Sequence, residues 1–179
     1  MNTLRRSWNS KFSSSRLGYW LLALGLLLAA PDSRAEPQIT HKDRAFLLAA
    51  SQGALLEVRL GELASNNARR AEIKEFGERM VADHSANLRE LQALAGLKGV
   101  TLPDGLDAKH QRQLKKMAAL PITEFDAAYI AAMIKGHQAV YRQFMAESAS
   151  TKDADIMHFV DKKVPVVNEH LARIQALKK

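Results

Sequence analysis

The stretch KGVTLPDGLDAKHQRQLKKMAALPIT, residues 98–123, decides how this chain folds. It opens with turn chemistry, Val100-Thr101-Leu102-Pro103-Asp104-Gly105, and continues as a short basic helix, about Asp107 to Ala119, that stops before Pro121. On both sides of it the apolar period is helical, and no run of four to eight residues alternates as a strand would. Before it, Thr40 with Asp43 makes a capping-box-like start. The stripe Phe46, Ala50, Gly53, Leu60, Ala64 then runs to about Asn66. Asn66-Asn67 is a break with capping capacity. The next stripe, Ile73, Phe76, Met80, Leu88, Leu91, Leu94, ends near Gly96–Gly99. After the connection, Thr123 with Asp126 is expected to cap a third long helix carrying Phe125, Tyr129, Met133, Val140 and Phe144. Ser148 to Thr151 interrupts it. A fourth helix runs from about Lys152 to Leu177, with Pro165 expected to kink it.

Two tight hairpins joined by about 26 residues predict an all-α fold, a ferritin-like four-helix bundle whose long crossover connection carries a short extra helix. The short links force each hairpin antiparallel. The long link lets the second and third long helices run parallel.

The 179 residues include 26 Lys+Arg, 19 Asp+Glu, six His and no Cys. Without Cys there is no disulfide, thiolate metal site or Cys nucleophile. Residues 1–35 read as a secretory signal peptide. Arg5, Arg6, Lys11 and Arg16 precede the uncharged apolar run Leu17 to Ala30, and Ser33-Arg34-Ala35 offers a small-x-small cleavage site. Residues 36–179, with a core of about 40–177, form the single domain, expected in the periplasm or secreted. The leader holds much of the basic excess, and Lys115-Lys116, Lys162-Lys163 and Lys178-Lys179 are isolated pairs on mixed surfaces. Nucleic acid is therefore not an expected partner, nor is a membrane once the leader is cleaved. An envelope partner or small ligand is.

Each long helix carries one titratable residue on its apolar stripe: Glu57, His84, His137 and His170. A buried carboxylate or imidazole needs a partner. Two readings stand side by side. In one, the groups bond to one another or to backbone and pin helix register, with Asp83, Asp126 and Tyr129 as further structural polar residues and a Tyr129–His170 or His–Glu pair among the bonds. In the other they hold iron, zinc or copper, since imidazole and carboxylate ligate all three. The paired Glu-x-x-His motif of di-iron bundles is absent, because Val81, Ile134 and Val167 stand three residues before the histidines. Counting depth from level helix ends spreads the four residues over roughly 13 Å along the axis, which favours the first reading. No cofactor and no catalytic residue is expected on that count, and the expected function is a non-enzymatic binding or interaction domain of the cell envelope.

Phe76–Leu88 (FGERMVADHSANL), Phe125–Val140 (FDAAYIAAMIKGHQAV) and Val164–Leu171 (VPVVNEHL) resemble the secreted bacterial family called domain of unknown function 4142. The Phe46–Ala50 opening and Leu102-Pro103 resemble it too. The resemblance implies an exported ferritin-like bundle with no established activity or cofactor. Its motif positions fall on Glu57, Met80, Asp83, His84, Phe125, Asp126, Tyr129, His137, Pro165 and His170.

Overall fold

A computed structural model describes residues 39–178, and the expected leader lies outside them. The described residues form five helices: α1 (His41–Asn67), α2 (Ala71–Leu97), α3 (Ala108–Ala118), α4 (Ile122–Ser148) and α5 (Ala154–Ala176). None is long and apolar enough to cross a membrane.

Local chemistry explains where the helices start. Thr40 and Asp43 form the complete capping box at α1, with the Thr40 side chain accepting from the Asp43 amide and the Asp43 carboxylate accepting from the Thr40 amide. Asp107 and Asp153 cap α3 and α5 more simply, each carboxylate accepting from first-turn amides with no reciprocal bond. The expected Thr123–Asp126 cap does not form: α4 begins after Pro121 with no side-chain cap. Asp126 instead reaches across the bundle and accepts from the Arg69 and Arg70 amides, at 3.0 and 3.1 Å, closing the otherwise uncapped start of α2. A carboxylate at a helix N-terminus meets unpaired N–H groups and the positive end of the dipole wherever it comes from in sequence.

That bond also sets topology, since the starts of α2 and α4 must share one end of the bundle. The Arg70 guanidinium donates to the Leu177 carbonyl, so the end of α5 lies there too. At the opposite end Phe46, Leu94, Phe144 and Ile156 share one apolar cluster. Helices α2 and α4 are therefore parallel, and α1 and α5 run against them. The crossover is anchored where Gln52 donates to the Gly105 carbonyl and accepts from the Asp107 amide. From there α3 returns along α1 toward the start of α4. Helix α5 continues through Pro165, which sits on the exposed face, so the Asp161 carbonyl deprived of its helical donor is open to water.

Two apolar clusters form the core. One gathers Leu60, Ile73, Phe76, Met80, Phe125, Met133 and Ile174, and the other Phe46, Leu47, Leu91, Phe144, Phe159 and Val160. In every long helix the titratable residue falls between the two. Just beside that layer α1 and α2 touch backbone to backbone: a Cβ on Gly61 would stand 2.6 Å from the Gly77 carbonyl oxygen, and one on Gly77 2.7 Å from that of Gly61. Only glycine permits this approach.

Gly61→Ala is accordingly expected to destabilise the fold by about 1–3 kcal/mol in urea unfolding. Gly53→Ala puts its methyl into open space and is expected to stabilise it by about 0.5–1 kcal/mol. A second expectation concerns pH. Burial and the neighbouring Asp43 carboxylate push Glu147 up from 4.5 to about 7. A raised carboxyl stabilises the fold while protonated, so its contribution is full below 4.5 and is lost as pH rises through about 7. The thermal midpoint should fall between about pH 5 and about pH 8, and Glu147→Gln should flatten that fall.

Candidate metal centre

Helical spacing turns the four titratable residues inward. His84 follows Met80 by one turn, His137 follows Met133, His170 precedes Ile174, and Glu57 precedes Leu60 and Gly61 on the face that meets α2. All four are buried, with His137 and His170 each 1% exposed.

The structure brings them together, which corrects the depth count. One ring nitrogen from each of His84, His137 and His170 lies within 4.8 Å of the others. Two physical reasons close the expected gap. The helix ends are not level: Asp126 is already one turn into α4 where it meets the start of α2, and α5 ends an arginine side chain away from that start. Side chains also lean toward their own helix N-terminus. In antiparallel neighbours this tips Glu57 and His170 one way along the axis, and His84 and His137 the other, toward a common level.

The hydrogen bonds fix how two of the rings present themselves. His137 Nδ1 lies 2.9 Å from the Met133 carbonyl, which can only accept, so Nδ1 carries a hydrogen and Nε2 is the nitrogen left to face the other rings. His170 Nε2 donates to the Asp83 carboxylate at 2.8 Å. Burial, with the nearby His84 and His137, holds the His170 ring down at about 4 against the opposing pull of Asp83, so it is neutral and its Nδ1 is bare. His137 Nε2 and His170 Nδ1 face each other at 3.4 Å. A hydrogen on His137 Nε2 would bridge them as a hydrogen bond, and a cation bound by both nitrogens would bridge them in its place.

Glu57 and His84 complete the layer. Their closest atoms, Oε2 and Nε2, are 2.9 Å apart, and Glu57 Oε1 is 3.6 Å from His137 Nδ1. Through this contact His84 Nε2 forms an ion pair with the carboxylate, while His84 Nδ1 is buried with no partner. Burial alone would raise Glu57, but the imidazoles of His84, His137 and His170 hold it at about 2. Burial would lower His84, and the Glu57 charge lifts it above 6.5 instead.

The remaining expected polar residues take different places. Asp83 is half-exposed, orients His170 and pairs with Arg79 at 3.2 Å. Asp126 is the cap described above, away from the centre. Tyr129 stacks on Phe125 and meets Phe76 edge-on. Its hydroxyl is buried with no partner, so the expected Tyr129–His170 bond does not form, while the His–Glu pair does. The reading by residue missed the Met133 carbonyl, which carries no side-chain signal, and Lys163 and Asn87, which flank the centre beside His84. Lys163 was visible only as half of a basic pair.

Two spaces reach the centre. One, of about 60 Å³, lies against His84, Glu57 and His170. The other is a wide cleft of about 1050 Å³ between α1, α3 and α4 with Glu57 in its lining.

These features define an all-helical bundle with a buried imidazole–carboxylate centre at mid-height. Residues 28–177 match the Domain of unknown function (DUF4142), and the chain belongs to that family. No curated protein matches it. Among solved structures, a DUF305 fragment from Deinococcus radiodurans is similar at TM-score 0.69 and 12% identity, covering 79% of this chain and 98% of that one. CopM in its Cu(I)-bound form is similar at TM-score 0.63 and 16% identity, covering 75% and 94%. Its Cu(II)-bound form gives TM-score 0.61 and 15% identity, covering 76% and 95%. At these identities the likeness is one of fold.

In histidine-resolved NMR titration of the metal-free protein, His84 is expected to keep its proton above pH 6.5 while His170 loses its own at about 4. Glu57→Gln removes the charge that lifts His84 and leaves burial in force, so the His84 midpoint should drop. A midpoint indifferent to this substitution would show that Glu57 does not govern the ring.

Proposed function

We propose that this chain is an exported metal-binding protein of the cell envelope that holds one transition-metal ion on His84, His137 and His170, with Glu57 as the anionic fourth ligand. The observation that carries this reading is the convergence of one ring nitrogen from each of the three histidines within 4.8 Å, with His137 Nε2 and His170 Nδ1 facing each other at 3.4 Å. Two nitrogens bound at 2.0–2.1 Å to a tetrahedral ion are roughly 3.3 Å apart. The bonds behind them support the same reading. Metal-bound histidines commonly donate their other N–H to a carboxylate or backbone carbonyl, which fixes tautomer and ring plane. Asp83 and the Met133 carbonyl stand in those two roles.

Imidazole and carboxylate suit zinc, copper and iron, and among divalent ions copper binds such donors most tightly. The similar bundle of CopM was solved with copper bound in both oxidation states, which makes copper the first ion to try. Export is supported by the charged, apolar and small-x-small order of residues 1–35. The competing reading, in which the layer only aligns helices for an envelope partner, is supported by the observed Glu57–His84 ion pair, which needs no metal.

One experiment separates them. The full chain is expressed with its leader, and the product is analysed by intact mass and by elemental analysis after loading with copper or zinc. The expected result is loss of residues 1–35 and one ion per chain. His137→Ala should abolish binding, and Asp83→Asn should weaken it about 10–100-fold. A folded protein that retains no metal would leave the alignment reading in its place.

A further inference from the structure

The 60 Å³ cavity beside His84 is larger than the centre itself needs. A water takes about 10–15 Å³ by the same measure, so the space admits a few waters or a small polyatomic ion. One wall is cut back by Ala49, Ala50, Gly53 and Ala54 on α1. Gly53 sits in the middle of a 27-residue helix, where glycine costs about 0.5–1 kcal/mol relative to alanine. No protein atom lies within 4 Å of where its Cβ would be. The space is therefore kept open with no steric demand from the protein. The opposite wall is polar. Asn87 Oδ1 is buried without a partner, as is His84 Nδ1. The Lys163 side chain, 11% exposed, lines the same cavity, with its ammonium 3.0 Å from Glu90 and over the Phe159 ring.

We propose that the ion held by this centre keeps one coordination position open toward this cavity, and that a small anion, drawn by Lys163, exchanges with water there. This rests on the metal reading above. The protein supplies at most three imidazoles and one carboxylate to the ion, fewer than a tetragonal Cu(II) accepts. Lys163 and the vacant volume both adjoin His84.

The test is titration of the copper-loaded protein with sodium azide, followed by absorption and electron paramagnetic resonance. A new, saturable charge-transfer band is expected. Gly53→Leu fills the cavity and should keep one copper per chain while weakening azide at least about tenfold. Lys163→Met should weaken it about tenfold by removing one nearby charge, and it serves alone if Gly53→Leu does not fold. A bound copper whose spectrum ignores azide would overturn the open position and leave the metal reading intact. Azide affinity equal in wild type and both variants would place the ligand elsewhere and overturn the inference. A protein that binds no copper or zinc fails at the earlier reading.

Discussion

The Glu57 carboxylate and the His84 imidazole lie 2.9 Å apart midway between two apolar clusters, and the arrangement of the bundle answers to that pair. Removing two such groups from water costs several kcal/mol each, and their attraction in a poor dielectric repays it only if they stay close. Leucines in the same layer would serve stability at least as well. What the charges impose is register: a slide of one helix turn would bury each of them against hydrocarbon. The same condition extends to His137 and His170, whose ring nitrogens face each other at 3.4 Å and keep a partner only while the helices hold this register.

The scaffold meets this demand through contacts outside the layer. The glycine-to-glycine touch of α1 and α2 at Gly61 and Gly77 holds Glu57 and His84 on closely approaching backbones. Asp126 ties α4 to the start of α2, and Arg70 ties α2 to the end of α5. The axial positions of the three histidines are thereby set by bonds at the joint end of the bundle. Direct packing between α2 and α5 is lighter, and there ion pairs such as Arg79–Glu169 and Lys162–Glu90 cross the seam. Exposed pairs of this kind contribute little energy, so the layer keeps its approach from solvent on the side of Asp83 and Lys163. The small residues of α1 leave the space there that a ligand of the centre would use.

Helix number, order and the crossover were legible in residues 98–123 because turn chemistry, capping pairs and apolar period act over one or two turns of the chain. The identity of the inward-facing groups was legible for the same reason: Glu57, His84, His137 and His170 each interrupt a stripe. Family membership followed from short motifs around them. Their convergence was not legible. Depth counting treats helix ends as level and side chains as perpendicular, and neither holds in antiparallel neighbours whose side chains lean in opposite directions along the axis. Asp126 shows the same limit, since its spacing from Thr123 reads as a local cap while its carboxylate caps another helix.

By itself, then, the order of residues determined the five helices, their connection and which side chains face inward, because those depend on neighbours a few positions away. Only the tertiary structure decided that three imidazoles from three helices meet at one level beside a carboxylate from a fourth. Helix stagger, the Gly61–Gly77 approach and the direction of each ring hydrogen are relations between segments, and periodicity within a segment carries no information about them.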